Sequence, residues 1–259
     1  MLDKQSPIPL YYQLAEALRE RITAGELQPG EQLPAERELG DQAGISRMTA
    51  RQAIAYLVRE GMLEVKPGVG TFVAAPKLTH HATHLLGFTE EIMGQGGRAH
   101  SRVLEQSVGT PPTRVAHTLG LPAAAATVKI VRLRLADGIP MLLETSHIPA
   151  QLCPGLENAA LATQSLYTLL RERYQLPLQR AHQTLEATIA NEYEASLFGM
   201  RPGAAMILVE GVAYRENSQP VEHFKAIYRG DRFRFALESQ RDVWSMDWAD
   251  TPSFRVEMR

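Results

Sequence analysis

Apolar residues at the start of the chain recur every three to four positions, then switch to alternation near residue 63. Leu10, Leu14, Leu18 and Ile22 form one stripe of a first helix. A second helix is predicted from Leu33-Pro34 through Glu36, Arg37 and Leu39 toward Gln42, because proline suits a first helical turn; Gly44 interrupts it. Ser46 stands where its hydroxyl can accept a free backbone N–H and cap a third helix, Arg47 to Glu60, which stops at Gly61. Ala50, Ala53, Ile54, Leu57 and Val58 give that helix a buried face. The opposite face carries Arg47 and Arg51 one turn apart, with Thr49 and Gln52 beside them. Leu63 and Val65 then alternate with polar residues, Lys66-Pro67-Gly68-Val69-Gly70 turns the chain, and Thr71-Phe72-Val73 returns it. This order predicts a winged helix-turn-helix. The polar end of its third helix is available to a DNA major groove, and its slim glycine tip suits a phosphate or a minor groove.

Periodicity fades over AAPKLTHHATH, residues 74–84, where Pro76 and few apolar anchors predict a hinge. His80, His81 and His84 have no Cys or acidic metal ligand beside them, so a polar linker is the better reading and no metal is expected. The domain scheme is a winged helix at 1–75, a linker at 76–84, a second domain at 85–248 and a tail at 249–259.

The second domain reads as α+β with an antiparallel sheet. Strand patterns lie near 99–108, 126–136, 140–148, 179–188, 204–216 and 220–229, and helical ones near 88–95, 112–119, 165–174 and 190–199. Asp137-Gly138 and Asn217-Ser218 mark hairpin turns, an order unlike the βαβ alternation of a Rossmann fold. Arg132 and Arg134 share one face of a strand whose return partner offers Glu144 and Ser146. A two-residue turn sets Glu144 on the other face, whereas a three-residue loop with Gly138 at a bulge gathers all four; the bulge is the preferred expectation. Glu222, Phe224, Ala226 and Tyr228 share a face of the last hairpin, and Ser165 opens the helix Leu166–Tyr174 with a hydroxyl and free N–H groups. One reading is a polar sheet face open to water, its arginines paired with Glu144 or Glu222. The other is a cleft for a small anionic metabolite.

Composition narrows the choice. The 259 residues, 44% apolar, suffice for two cores. No apolar run approaches a membrane span, no signal-peptide pattern opens the chain, and Cys153 is the single cysteine, so a cytoplasmic or nucleoid-associated protein is expected. Residues 1–75 hold eight basic against ten acidic side chains, but residues 44–75 carry four against two. That balance predicts poor non-specific attachment to DNA and reliance on a dimer with a defined operator.

The run LPAERELGDQAGISRMTARQAIAYLVREGMLEVKPGVGTFV resembles the DNA-binding domain of the GntR family of bacterial transcription regulators, a likeness covering nearly all of 8–74. It departs at Ala35 and Ala50, where many members carry serine and valine. The resemblance implies that Arg37 and Arg47 contact bases, guanines by their paired acceptors, and that Ser46, Thr49 and Arg51 hold phosphates. Gly70 would enter the minor groove, supported by Gly68 and Thr71. The segments GFTEEIMGQG, VRLRLADGIPMLLETSHIP, SLYTLL and EHFKAIYRGDRFRF resemble, more loosely, the UTRA effector domain of HutC-type members. That domain has a chorismate-lyase-like fold and binds small ligands without turning them over. By similarity, Thr89, Glu90, Arg132, Arg134, Glu144, Ser165, Tyr167, Glu222 and Tyr228 would line its pocket. Relatives answer to amino-sugar phosphates, other sugar phosphates, histidine-pathway intermediates or fatty acids, and the expectation here is a phosphorylated sugar. Two chains would pair on a palindromic double-stranded operator and be released by this effector, without a cofactor. The alternative, an enzyme of chorismate-lyase-like fold, lacks a Ser/His/Asp set, a metal quartet or a phosphate-cradling glycine loop.

Overall fold

The computed structural model describes residues 2–81, 85–122 and 124–237. Helices α1 (Leu10–Thr23), α2 (Glu36–Ala43) and α3 (Arg47–Arg59) are followed by a hairpin of β1 (Leu63–Lys66) and β2 (Gly70–Val73). Leu14 and Leu18 from α1, Leu39 from α2 and Ala50, Ala53, Ile54 and Leu57 from α3 meet in one core. Ala50 and Ala53 are fully buried there, which is where small side chains let helices approach closely. Helix α2 starts two residues after Pro34. The chain before it is extended, because Leu33 N–H donates to Thr71 and Gly30 N–H to Val73 along the outer edge of β2. Proline therefore leads into α2 instead of opening it.

The second unit is a six-stranded antiparallel sheet in the order β4-β5-β6-β9-β8-β7. Its strands are β4 (Ala99–Gly109), β5 (Thr127–Ala136), β6 (Ile139–Pro149), β7 (Arg180–Ile189), β8 (Ala205–Tyr214) and β9 (Pro220–Arg229). One face packs Leu133 and Leu143 against α7 (Glu192–Phe198), while α5 (Thr113–Thr118) and Leu119 cover Val212. On the other face α6 (Leu166–Glu172) buries Leu166 and Leu170 against Val128, Ile130 and Ile148. The α+β class with an antiparallel sheet, expected from alternation alone, is what the chain forms.

The segment expected as an open linker carries a strand. β3 (Leu78–His81) pairs in parallel with β10 (Phe233–Ala236), and neither strand was anticipated, since four residues give too short a run to show alternation. Residues 82–84, His84 among them, and 238–259, which include the expected tail, lie outside the described residues.

The β5–β6 hairpin reaches the expected grouping by a different route. Asp137 and Gly138 have φ of +48° and +81°, and Ala136 pairs directly with Ile139, so the turn has two residues and is not itself a bulge. The extra residue is Met141, which falls between the Leu135–Pro140 and Arg134–Leu142 pairs. Beyond it the register has slipped by one, and Glu144 stands opposite Arg132. In β8, Gly211 lets β7 close in: a Cβ there would meet the His182 carbonyl at 2.4 Å. Gly211→Ala should therefore cost about 2 kcal/mol, lowering Tm by roughly 4–8 °C in calorimetry, without changing helix or strand content by circular dichroism.

Candidate functional site

Two surfaces collect the residues singled out in the sequence. On the winged helix, Ser46 caps α3 by accepting the Thr49 N–H at 3.1 Å, and the Ser46 and Thr49 hydroxyls lie 2.9 Å apart. Arg37, Arg47 and Arg51 all project into solvent. Glu36 restrains two of them: Arg47 Nε donates to its carboxylate at 3.0 Å, and Arg51 Nε lies 3.5 Å from the other oxygen. Arg37 and Asp41 are 3.9 Å apart, a loose surface pair. In the wing, Gly68 has φ of +75° and Gly70 +149°. A Cβ at Gly70 would stand 2.4 Å from Gln32 Nε2, which instead donates to the Val69 carbonyl. Arg37, Arg47, Gly68, Gly70 and Thr71 border one shallow groove between the wing and the two helices. Ser46, Thr49 and Arg51 flank it on the first turns of α3.

The second surface is a cavity of about 240 Å³ between the sheet, α4 (Phe88–Gly94) and the start of α6. It is smaller than the ~300–1,000 Å³ of drug-sized sites and so suits a compact metabolite. Thr89, Arg132, Arg134 and Glu144 line it, as do Ser165, Tyr167 and Tyr228. Ser165 caps α6 by accepting the Thr168 N–H. Glu144 receives Arg132 Nη2 at 2.6 Å and Arg134 Nη1 at 3.4 Å, while Arg134 Nη2 donates to Thr89 Oγ1 at 2.7 Å. Arg134 also stacks over Phe88, 4.9 Å from the ring centre. Burial works against the charge of Glu144, but Arg132 and Arg134 outweigh it and hold that carboxyl below its usual range. Burial, and then Arg132, bring Arg134 down to about 10, still charged at neutral pH.

These contacts do not use all the donors. Arg132 Nε and Nη1 and Arg134 Nε are buried without an acceptor among the described residues. Such groups are costly, and a cavity is where an incoming acceptor satisfies them.

Two expected pocket residues sit elsewhere. Glu90 turns back to accept the Gly87 N–H as part of a helix-capping arrangement and faces Arg171, outside the cavity wall. Glu222 lies beneath the cavity, accepting Ser146 Oγ at 2.5 Å. Burial and the nearby charge of Glu144 push its carboxyl up to about 7. Sequence reasoning missed His80 and Glu91, which face each other on the cavity wall with His80 Nδ1 2.9 Å from the carboxylate, as well as Phe88 and Gln183. His80 stood in a stretch read as linker, so only its pairing with β10 reveals its place. Among the described residues no cluster of three His, Cys, Asp or Glu suits a metal, and no helix is long and apolar enough to cross a membrane.

Glu222 binds its proton more tightly folded than unfolded, so its contribution to stability is full at low pH and lost as pH rises toward 7. Glu222→Gln should melt close to wild type near pH 5 and up to about 3 kcal/mol more stably at pH 8.5. Thermal melts at the two values check this, and an equal difference at both would deny Glu222 its raised affinity for a proton.

Comparison with known proteins finds relatives for both units of the chain. Residues 10–73 match the model described as "Bacterial regulatory proteins, gntR family", and residues 94–234 match the UTRA domain. The chain is 42% identical to the HTH-type transcriptional repressor NagR of Bacillus subtilis (strain 168), over 90% of this chain and 96% of that one. It is 28% identical to a probable fructoselysine utilization operon transcriptional repressor of Escherichia coli (strain K12), over 92% and 98%. The crystal structure of PhnF from Mycobacterium smegmatis superposes with a TM-score of 0.63 at 30% identity, covering 88% of this chain and 100% of that one.

Proposed function

The chain belongs to the GntR family of bacterial transcription regulators, with a UTRA domain behind its DNA-binding domain, and from that membership we propose a repressor that a compact anionic metabolite releases from its operator. The observation that carries the ligand half is the pair of buried arginines on the cavity wall, three of whose N–H-bearing nitrogens lack an acceptor among the described residues. An anionic group placed against Arg132 and Arg134 would take those donors in charge-assisted hydrogen bonds. Ser165, Tyr167 and Tyr228 offer hydroxyls for the rest of a polyhydroxylated molecule. A sugar phosphate, with or without an amino group, combines both features. The fructoselysine-operon repressor points to sugar-derived effectors as well. The cavity holds its ligand without converting it, as membership of a family of regulators implies.

DNA recognition falls to the first turns of α3 and the wing. Arg47 and Arg37 reach base edges, Ser46, Thr49 and Arg51 hold phosphates, and Gly68, Gly70 and Thr71 bring the wing's backbone to the minor groove. Reading a two-fold operator requires two such heads, so the working form is a homodimer. The ligand acts by favouring an arrangement in which the heads no longer match both half-sites, and a preference of a few kcal/mol suffices.

Selection of duplexes from a random library by the purified protein, followed by a thermal-shift screen with hexose and hexosamine 6-phosphates, tests both halves. Enrichment of no common sequence would sink the regulator reading; absence of any stabilised pair would sink the ligand class. Arg47→Ala should weaken the selected duplex roughly 10- to 100-fold by fluorescence anisotropy while leaving sugar-phosphate affinity unchanged. Arg132→Ala should do the reverse, abolishing the thermal shift and sparing the duplex.

A further inference from the structure

One polar pair on the cavity wall is unused by that reading of the site. His80 belongs to β3 and Glu91 to α4, and both carboxylate oxygens lie 2.9 Å from His80 Nδ1. The two side chains are only 12% and 7% exposed, so the contact is shielded from bulk water. The imidazole packs edge-on against Phe235, 5.0 Å between centres, and lies 6.2 Å from Tyr228, itself on the cavity wall. Thus the pair is set among rigid groups and borders the space a ligand would enter.

β3 is also the first element after the winged helix. The Ala74 N–H still bonds within that unit, to the Met62 carbonyl, and only Ala75, Pro76 and Lys77 intervene before Leu78. From Ala74 to His80 the chain spans at most ~20 Å. Around this joint Lys77 Nζ donates to the Gly230 carbonyl at 2.8 Å, and Arg232 lies 3.2 Å from Glu64 of β1. A shift of β3 is therefore delivered to the DNA-binding unit over a short path.

Resting on the reading of the cavity as the site of an anionic metabolite, we propose that His80 and Glu91 form a latch through which that metabolite acts on DNA binding. With the latch closed, Glu91 holds β3 against α4 and keeps the winged helix in its operator-binding position. An anion seated on Arg132 and Arg134 competes with Glu91 for the imidazole. When His80 turns to it, the buried tie between β3 and α4 is released. Because coupling between two ligands is reciprocal, breaking the latch at Glu91 weakens operator binding and leaves metabolite binding equal or tighter.

The test compares full-length wild type with His80→Phe, which keeps the aromatic packing, with Glu91→Ala, and with His80→Gln, which keeps a hydrogen-bonding group. Backbone amide exchange at residues 78–81, measured without DNA or ligand, should be about tenfold faster in the first two and near wild type in the third. Affinity for the selected duplex should fall roughly five- to tenfold in His80→Phe and Glu91→Ala, and added glucosamine 6-phosphate should no longer change it by more than about twofold. Calorimetry should show glucosamine 6-phosphate bound at least as tightly by Glu91→Ala as by wild type, and more weakly by His80→Phe, which lacks the imidazole that turns to the anion. Unaltered exchange, or faster exchange with unaltered duplex affinity, overturns the latch, whether or not the wild type responds to glucosamine 6-phosphate. A silent wild type counts instead against the sugar-phosphate reading. Weaker glucosamine 6-phosphate binding by Glu91→Ala also overturns the latch, making Glu91 an ordinary ligand contact.

Discussion

Glu144 makes the interior of the UTRA domain possible. Arg132 and Arg134 are almost fully buried on adjacent same-face positions of β5, and two like charges there are untenable without a carboxylate between them. The carboxylate arrives only because Met141 adds one residue to β6 and moves Glu144 from the far face to the position opposite Arg132. Leu142 and Met141 seal the same region into the core with Phe88 and Phe233, so the bulge is packed in place. One carboxylate between two guanidiniums leaves the site net positive and short of acceptors, a state that favours an incoming anion.

Glu222 adds a second layer to this balance. It sits under the pocket with Ser146 and in reach of the field of Glu144, and the two carboxyls divide the roles. Glu144 stays ionised against the arginines, while Glu222 holds a proton over much of the range below neutrality. Neighbouring acids in one buried patch thus differ in charge because the guanidiniums bond Glu144 directly, whereas for Glu222 burial and the charge of Glu144 outweigh the pull of Arg132.

Long elements were legible in the sequence because their periodicity repeats several times. The six strands of the main sheet and the three helices of the DNA-binding domain lie within a few residues of where alternation and capping residues set them. Face assignment was legible too: Arg132, Arg134, Tyr228 and Ser165 meet at one cavity because strand parity and a helix start can be read directly. What escaped depends on partners distant in sequence. β3 and β10 pair across some 150 residues, and a four-residue strand has no pattern of its own. The placement of the bulge at Met141 instead of Gly138 follows from core packing, which the turn residues do not encode. Glu90 is a pocket residue by resemblance to the UTRA domain, but here its carboxylate turns back onto the chain before α4 to accept the Gly87 N–H.

The Glu36 carboxylate, shared by Arg47 and Arg51, has a further meaning for a protein that must search a chromosome. Each guanidinium has an anion beside it, so in the proposed DNA-binding role contact with an arbitrary stretch of polyphosphate would replace one anion by another and gain little. A matching sequence would offer Arg47, in its proposed role, more than charge, since a guanine edge accepts two parallel hydrogen bonds that a single carboxylate oxygen cannot equal. Under the proposed reading, α2 thus supplies the arginines of α3 with a competitor that a bidentate base contact outbids and a lone phosphate does not.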